Sequence, residues 1–509
     1  MLSVFASTPH PACPTPFNLA AHVLAGGVLQ GDKTALQVLR PDGAEHWSYR
    51  RLIAAVRGFG TGLLKFGLGP GDRIILLLGN DAVFPIAFLG AISVGIIPVP
   101  LPTQLTSPEI DKVLAQVTPA LILTSDGVAL PSAPTCPVLP ASATFEISCL
   151  EPSPWAMGDP DRLAWMSYTS GTTGTARAVM HAHRSIWARQ MARAGWTGLR
   201  PQDRLFHAGA FNWTYTLGVG LLDPWSLGAT ALIPSAEIRP ADLPGLLART
   251  EATIFAATPG LFRQMLRHPM PDLPHMRHAL SAGEKLSDDV AAQWRAATGT
   301  PIYEAYGMTE CSIFISGSAA RPAPPGTIGY AQGGRRIAIL GPDHAPVPRG
   351  TPGILAIDRT DPGVFLGYYG RSCDTTDRFS GEWFVTGDTA SMAEDGAIVY
   401  LGRSDDMMNA GGARVSPLEV EAVMADVPGL SEVAVTEVTV RPGVSVVACF
   451  YVAAGGIAED ILTAHAAARL ARYKQPRVYA RVAALPRNAN QKLLRRELRR
   501  TWESDHGQA

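Results

Sequence analysis

Apolar positions along the chain fall into two alternating patterns. Short continuous apolar runs, "DRIILLLGN" (72–80), "PALILTSD" (119–126), "ATALIPS" (229–235), "ATIFAAT" (252–258) and "HALSAGE" (278–284), each close in turn residues. Runs of that length and ending predict buried strands. Between them lie stretches such as "SYRRLIAAVRGFGTGLLKFGL" (48–68), whose apolar residues recur at helical spacing. Strand and helix taking turns predict an α/β fold of layered, largely parallel sheets.

The pattern changes near residue 326, where "GTIGYAQGGRRIAILGPD" and "GTPGILAI" are short strands punctuated by glycine and proline. They predict a small β-rich lobe. A polar, glycine-rich stretch, "GRSDDMMNAGGARVSP" (402–417), then precedes a tail with a helix after Pro417, strands at "EVAVTEVTV" and "VSVVACFYVA", and a helix near 459–472. The expected organisation is a large N-terminal domain of layered α/β sheets with its β-rich lobe (1–402), followed by a small mobile α+β C-terminal domain (403–509).

The run "DAVFPIAFLGAISVGIIPVPLP" (81–102) is apolar enough to suggest a membrane span, but Pro85, Pro98 and Pro100 interrupt it and its flanks lack basic anchors. It predicts a buried helix running into a core strand. A chain of 509 residues with 47% hydrophobic and 17% charged residues belongs with multi-domain globular proteins. The formal net charge of −1 gives no global attraction to nucleic acid or an acidic membrane. Six scattered cysteines (Cys13, Cys136, Cys149, Cys311, Cys373, Cys449) form no CxxC pair, which fits a reduced cytoplasmic compartment and argues against zinc.

The chemistry concentrates first in "YTSGTTGTARAVMHAH" (168–183). Gly171 and Gly174 let successive backbone N–H groups face one concavity, while Thr169, Ser170, Thr172 and Thr173 add hydroxyl donors. Arg177 adds one fixed charge, and the segment after it is expected to present a helix N-terminus. Many donors with little countercharge suit a ligand that brings its own cation, as Mg-bound triphosphate does. No Gly-Lys-Ser/Thr follows, so this is not a Walker loop.

This order of residues resembles the phosphate loop of the acyl-adenylate-forming superfamily, which includes acyl-CoA ligases, peptide-synthetase adenylation domains and beetle luciferases. That family has Pro-Lys-Gly where this chain has Ala176, Arg177 and Ala178. Further motifs follow in the family's order. "YEAYGMTE" (303–310) resembles the adenine and metal motif, implying Tyr306 against adenine, Thr309 donating to the α-phosphate, and Glu310 on Mg²⁺. Glu304 and Ala305, with Gly283 and Glu284 of "SAGEKL" (281–286), are implied around the adenine and ribose. "WFVTGDTA" (383–390) and "GRSDD" imply Asp388 and Arg403 at the ribose and Asp405 as the hinge. "LPRNANQKLLRREL" (485–498) implies Lys492 as the catalytic lysine, preceded by Gln491 where the family has glycine. Gly411 and Gly412 match the pair that borders the pantetheine tunnel.

The resemblance implies an ATP-dependent carboxylate–CoA ligase: the acid attacks MgATP to give acyl-AMP and pyrophosphate, then CoA displaces AMP. The stretch "LFHAGAFNWTYTLGVGLLDPWSLGA" (205–229) corresponds to the acyl pocket. His207, Phe211, Trp213, Ala282, Gly307 and Cys311 are its implied lining, with Tyr215 and Trp187 as further walls. A His at 207, where amino-acid-activating domains carry Asp, argues against an α-amino acid. Bulky walls favour a compact aromatic or alicyclic acid, as for ligases of the benzoate and chlorobenzoate kind. A short or medium fatty acid is the rival substrate, and a carrier protein is the rival acceptor. Expected partners are the acid, ATP and CoA, with no nucleic acid and no transmembrane segment. The sequence leaves a homodimer open.

Overall fold

The computed structural model describes residues 1–169, 177–404, 406–410, 413–441, 444–488 and 492–506. Contacts divide the chain into two units: Phe5–Ile337 with Ile357–Phe384, and Met1–Val4 with Ala338–Ala356 and Val385–Ala509. The chain passes from one to the other within the strands Val4–Ala6, Arg336–Leu340, Gly353–Asp358 and Trp383–Met392.

The larger unit is built on a nine-stranded sheet. Its order runs Tyr330–Ala331, Ser312–Ser316, Ile302–Met308, His278–Ala282, Ile254–Ala257, Arg204–His207, Thr230–Pro234, Thr34–Arg40, Gly43–Ser48. All pairings from Ile302–Met308 to Thr34–Arg40 are parallel, and antiparallel strands close both edges. Four further parallel strands, Ile97–Pro100, Arg73–Leu77, Leu121–Thr124 and Val138–Pro140, form a second sheet. The apolar runs therefore became strands buried on both faces, as parallel sheets require.

Helix Tyr49–Lys65 begins where Ser48 Oγ accepts the Arg51 N–H, and it buries Leu52, Val56, Phe59 and Leu63. Every residue of helix Val83–Ser93 is buried, and the chain continues into strand Ile97–Pro100. A helix apolar on all sides belongs in a core. No helix among the described residues is long and apolar enough to cross a membrane.

The expected helix after the phosphate loop is corrected. Residues Arg177–Ala182 form a strand antiparallel to Leu163–Thr169, with Thr169 opposite Arg177 and Leu163 opposite Ala182. The ladder satisfies their backbone groups, and the β-branched Val179 is buried in it.

In the second unit, strands Leu430–Arg441, Val444–Ala453 and Val478–Arg481 make one sheet. Alternate residues serve its two faces. Val435, Val447 and Cys449 pack with Val420, Met424 and Leu462 of helices Pro417–Ala425 and Glu459–Arg469. Ala434, Val438 and Phe450 pack with Leu485 and with Leu498 of helix Arg495–His506.

Candidate active site

The strands Leu163–Thr169 and Arg177–Ala182 pair antiparallel, with Thr169 opposite Arg177. Ser170, Gly171, Thr172, Thr173 and Gly174 lie outside the described residues, as do Asp405, Gly411, Gly412 and Gln491. A third strand, Gly367–Tyr368, pairs with Arg177–Ala182, placing Tyr368 opposite Val179.

Glu310 sits in the turn between Ile302–Met308 and Ser312–Ser316, next to the half-buried Thr309. The neighbouring segment holds it twice. The Phe365 N–H donates to the Glu310 carbonyl at 2.7 Å, and the Tyr368 hydroxyl donates to Glu310 Oε1 at 2.8 Å. Burial first, then the charge of Glu310, raises the Tyr368 phenol above its ordinary range, so it remains a donor. The Arg177 guanidinium lies over the Tyr368 ring, 5.2 Å from its centroid. Arg177 Nε stands 3.1 Å from Asp374 Oδ2, but among the described residues its buried N–H makes no aligned hydrogen bond, so the contact is an ion pair. Asp374 also faces Arg371 at 3.5 Å.

The turn that carries Glu310 depends on a close approach between its two strands. A Cβ on Gly307 would collide with the Ser312 carbonyl and stand 2.7 Å from Ile313 Cα. Tyr306, half-buried beside it, meets Phe314 edge-on at 5.3 Å. Cys311 is fully buried, and burial, Asp361 and Glu310 together raise its thiol well above the ordinary range, leaving it unreactive.

Glu304 has a task that its motif did not suggest. It accepts from Lys285 Nζ and from the Leu286 N–H, each at 2.7 Å, which fixes the turn after strand His278–Ala282. Burial raises its carboxyl, partly offset by Lys285. Ala282 and Ala305 stand opposite each other in adjacent strands. The half-buried Glu284 and the exposed Gly283, at φ 97, follow in that turn.

The acyl-pocket residues are brought together only in part. His207 ends its strand fully buried, its ring 4.5 Å from that of Tyr215, which meets Trp213 edge-on at 5.2 Å. The Trp213 ring closes on Gly283, where a Cβ would be 2.8 Å away. Ala282 and Ala305 join the same apolar cluster. Phe211, by contrast, stacks on Phe84 within the core, and Trp187 packs among His10, Phe17 and His22 near the N-terminus. The Gly209 N–H donates to His207 Nδ1 at 3.1 Å, so the proton of the neutral ring is on Nε2, which has no partner among the described residues. Burial pushes the His207 pKa down to about 3.

In the second unit, strands Trp383–Met392 and Ile398–Arg403 place Asp388 opposite Arg403. Asp388 Oδ1 lies 3.4 Å from Arg403 Nε and accepts from the Tyr400 hydroxyl at 3.4 Å. Lys492 is exposed, its turn closed by the Asn488 side chain accepting the Lys492 N–H and the Asn488 N–H donating to the Lys492 carbonyl, both at 2.9 Å. Tyr368, Asp374, Lys285 and Tyr400 escaped the sequence reading. The only local hint of the first was a Gly-Tyr pair in "LGYYG", which carries no periodicity.

Comparison with known proteins identifies the family. The AMP-binding enzyme family matches residues 28–369, and the AMP-binding enzyme C-terminal domain matches 419–492. The chain is 30% identical to a benzoate–CoA ligase of Thauera aromatica, over 96% of each chain. It is 28% identical to a 3-hydroxybenzoate–CoA ligase of Aromatoleum sp. (strain CIB), over 95% of this chain and 96% of that one. Among solved structures, a benzoate CoA ligase from Burkholderia xenovorans LB400 superposes with a TM-score of 0.84 at 28% identity, covering 95% of this chain and 100% of the other. The chain belongs to the AMP-binding enzyme family and is a ligase of the AMP-forming acyl-CoA synthetase type.

Proposed function

We propose that the protein joins a compact aromatic or alicyclic carboxylic acid to CoA, through an acyl-adenylate. The observation that carries this reading is full-length similarity to ligases of benzoate and 3-hydroxybenzoate. The ring of His207, Tyr215 and Trp213 closing on Gly283 supports it, because such walls leave a short, flat slot.

Residues 169–174 receive the β- and γ-phosphates, using amides and hydroxyls so that pyrophosphate can depart. Arg177 adds a charge held in place by Asp374. Tyr306 lies along the adenine, with Gly283, Glu284, Glu304 and Ala305 forming its surroundings, and Asp388 with Arg403 takes the ribose hydroxyls. Thr309 donates to the α-phosphate.

Glu310 suits a hard divalent cation: Tyr368 occupies one carboxylate oxygen, and among the described residues nothing donates to the other. No cluster of three acidic, His or Cys residues exists among the described residues, so a Mg²⁺ would fill its shell with phosphate oxygens and water. When bound, it offsets phosphate charge. Lys492 bridges the attacking carboxylate and the phosphate where their repulsion peaks. The part beyond residue 403 then turns about Asp405, withdrawing Lys492 and bringing Gly411 and Gly412 to the thiol path.

The test is incubation with MgATP, CoA and a panel of acids spanning benzoate, hydroxybenzoates, cyclohexanecarboxylate and short to medium acyl chains. AMP together with thioester for a ring acid is the expected result. Preference for the acyl chains overturns the acid class, and AMP without thioester overturns CoA as acceptor.

A further inference from the structure

We propose that Tyr368 is a positioning residue for the metal carboxylate, fixing one oxygen of Glu310 so that the other is left for the cation, with Arg177 and Asp374 bracing its ring. The proposal rests on Glu310 being the metal ligand.

A carboxylate free to turn presents its oxygens in many directions. Here two bonds from one short segment remove that freedom: Phe365 holds the Glu310 backbone and Tyr368 holds Oε1. The phenol is itself held. The Tyr368 backbone N–H donates to Thr375 Oγ1 at 2.9 Å, and its ring meets Phe365 at 4.9 Å and the Arg177 guanidinium at 5.2 Å. Asp374 in turn pins Arg177 Nε. The chain thus connects the edge of the phosphate loop to Glu310 through three side chains. It also accounts for arginine where the family has lysine: a planar guanidinium lies on a ring while its Nε pairs with a carboxylate, whereas an ammonium has no plane to lay there. Phenylalanine would fill the same space, so the buried hydroxyl has no purpose in packing. Its hydrogen bond is to Glu310 Oε1. Residues outside the coordination shell that orient a ligand act through affinity for the metal.

The experiment titrates Mn²⁺ into the full-length protein with a non-hydrolysable ATP analogue, following free Mn²⁺ by electron paramagnetic resonance. Tyr368→Phe should weaken Mn²⁺ about tenfold, with metal-free nucleotide affinity and melting temperature unchanged. Arg177→Lys should weaken it less. Wild-type Mn²⁺ affinity in Tyr368→Phe, with loss in Glu310→Gln, overturns the positioning role while Glu310 keeps its own. Wild-type affinity in Glu310→Gln overturns both. Should Tyr368→Phe not fold, unchanged affinity in Arg177→Lys overturns the bracing and the proposal with it.

Discussion

Arg189 grips both carboxylate oxygens of Asp223, Nε to Oδ1 and Nη2 to Oδ2 at 2.6 Å each, and its Nη1 donates to Ser312 Oγ at 2.7 Å. Ser312 stands at φ 62, directly after Cys311 in the turn that carries Thr309 and Glu310. A left-handed serine persists only where its surroundings hold it. Gly218 makes room for the clamp, since a Cβ there would come within 2.5 Å of Arg189 Cζ. Both side chains of the pair are only 11% exposed.

Arg189→Met leaves Asp223 charged, buried and alone, and should cost about 3–5 kcal/mol. Urea unfolding of the single variant and of Arg189→Met with Asp223→Leu decides the matter. The double variant should recover part of the loss, and a single variant as stable as the wild type would show the clamp to be idle.

In the proposed function Trp213, whose ring stands 2.8 Å from where a Gly283 Cβ would be, sets the depth of the acid slot. Trp213→Ala should raise kcat/KM for bulkier acids relative to benzoate, read from the acid panel. Gly283→Ala should lower activity with every acid, because φ 97 strains a side chain there as well as driving it into the indole. Combining the two changes should relieve only the collision, leaving about 1–2 kcal/mol of backbone cost. Full recovery in the combination would refute the strain argument.

His181 and His207 are both buried, and desolvation pushes each pKa down to about 3 from 6.5. Between those values the unfolded chain binds protons that the folded chain does not. Stability therefore rises with pH through that window and falls on acidification, by about 1.4 kcal/mol per pH unit for each histidine. His207→Gln should remove about one proton from the slope of unfolding free energy between about pH 5 and about pH 6. An unaltered slope would mean that His207 is protonated in the folded protein.

Lys492 and Asp405 should divide the two half-reactions. Lys492→Ala should slow pyrophosphate release by about 10²–10³-fold and leave thioester formation from supplied acyl-adenylate near wild type. Asp405→Pro should do the reverse. Equal losses in both half-reactions for either variant would remove it from its assigned step.

Sequence alone determined the elements and the order of the motifs. Apolar runs such as 72–80 and 252–258 were legible because a strand buried on both faces must be apolar throughout; Asp388 and Arg403 were picked out only through resemblance to family motifs, and the structure sets them opposite each other in paired strands. The segment that follows Arg177, where a helix N-terminus is expected, is instead the strand Arg177–Ala182. Its pairing with Leu163–Thr169 and Gly367–Tyr368 is decided by partners, one adjacent in sequence and one nearly two hundred residues on.

The tertiary structure alone decided which side chains act together. Tyr368 reaches Glu310 across 58 residues, Lys285 reaches Glu304 across 19, and Arg189 reaches Ser312 across 123. No spacing rule encodes such meetings, because they depend on which strands share a sheet and where each turn ends. Phe211 and Trp187 show the same limit from the other side: an aromatic residue reads alike in a pocket wall and in a core, and only packing against Phe84, or against His10, Phe17 and His22, distinguishes them.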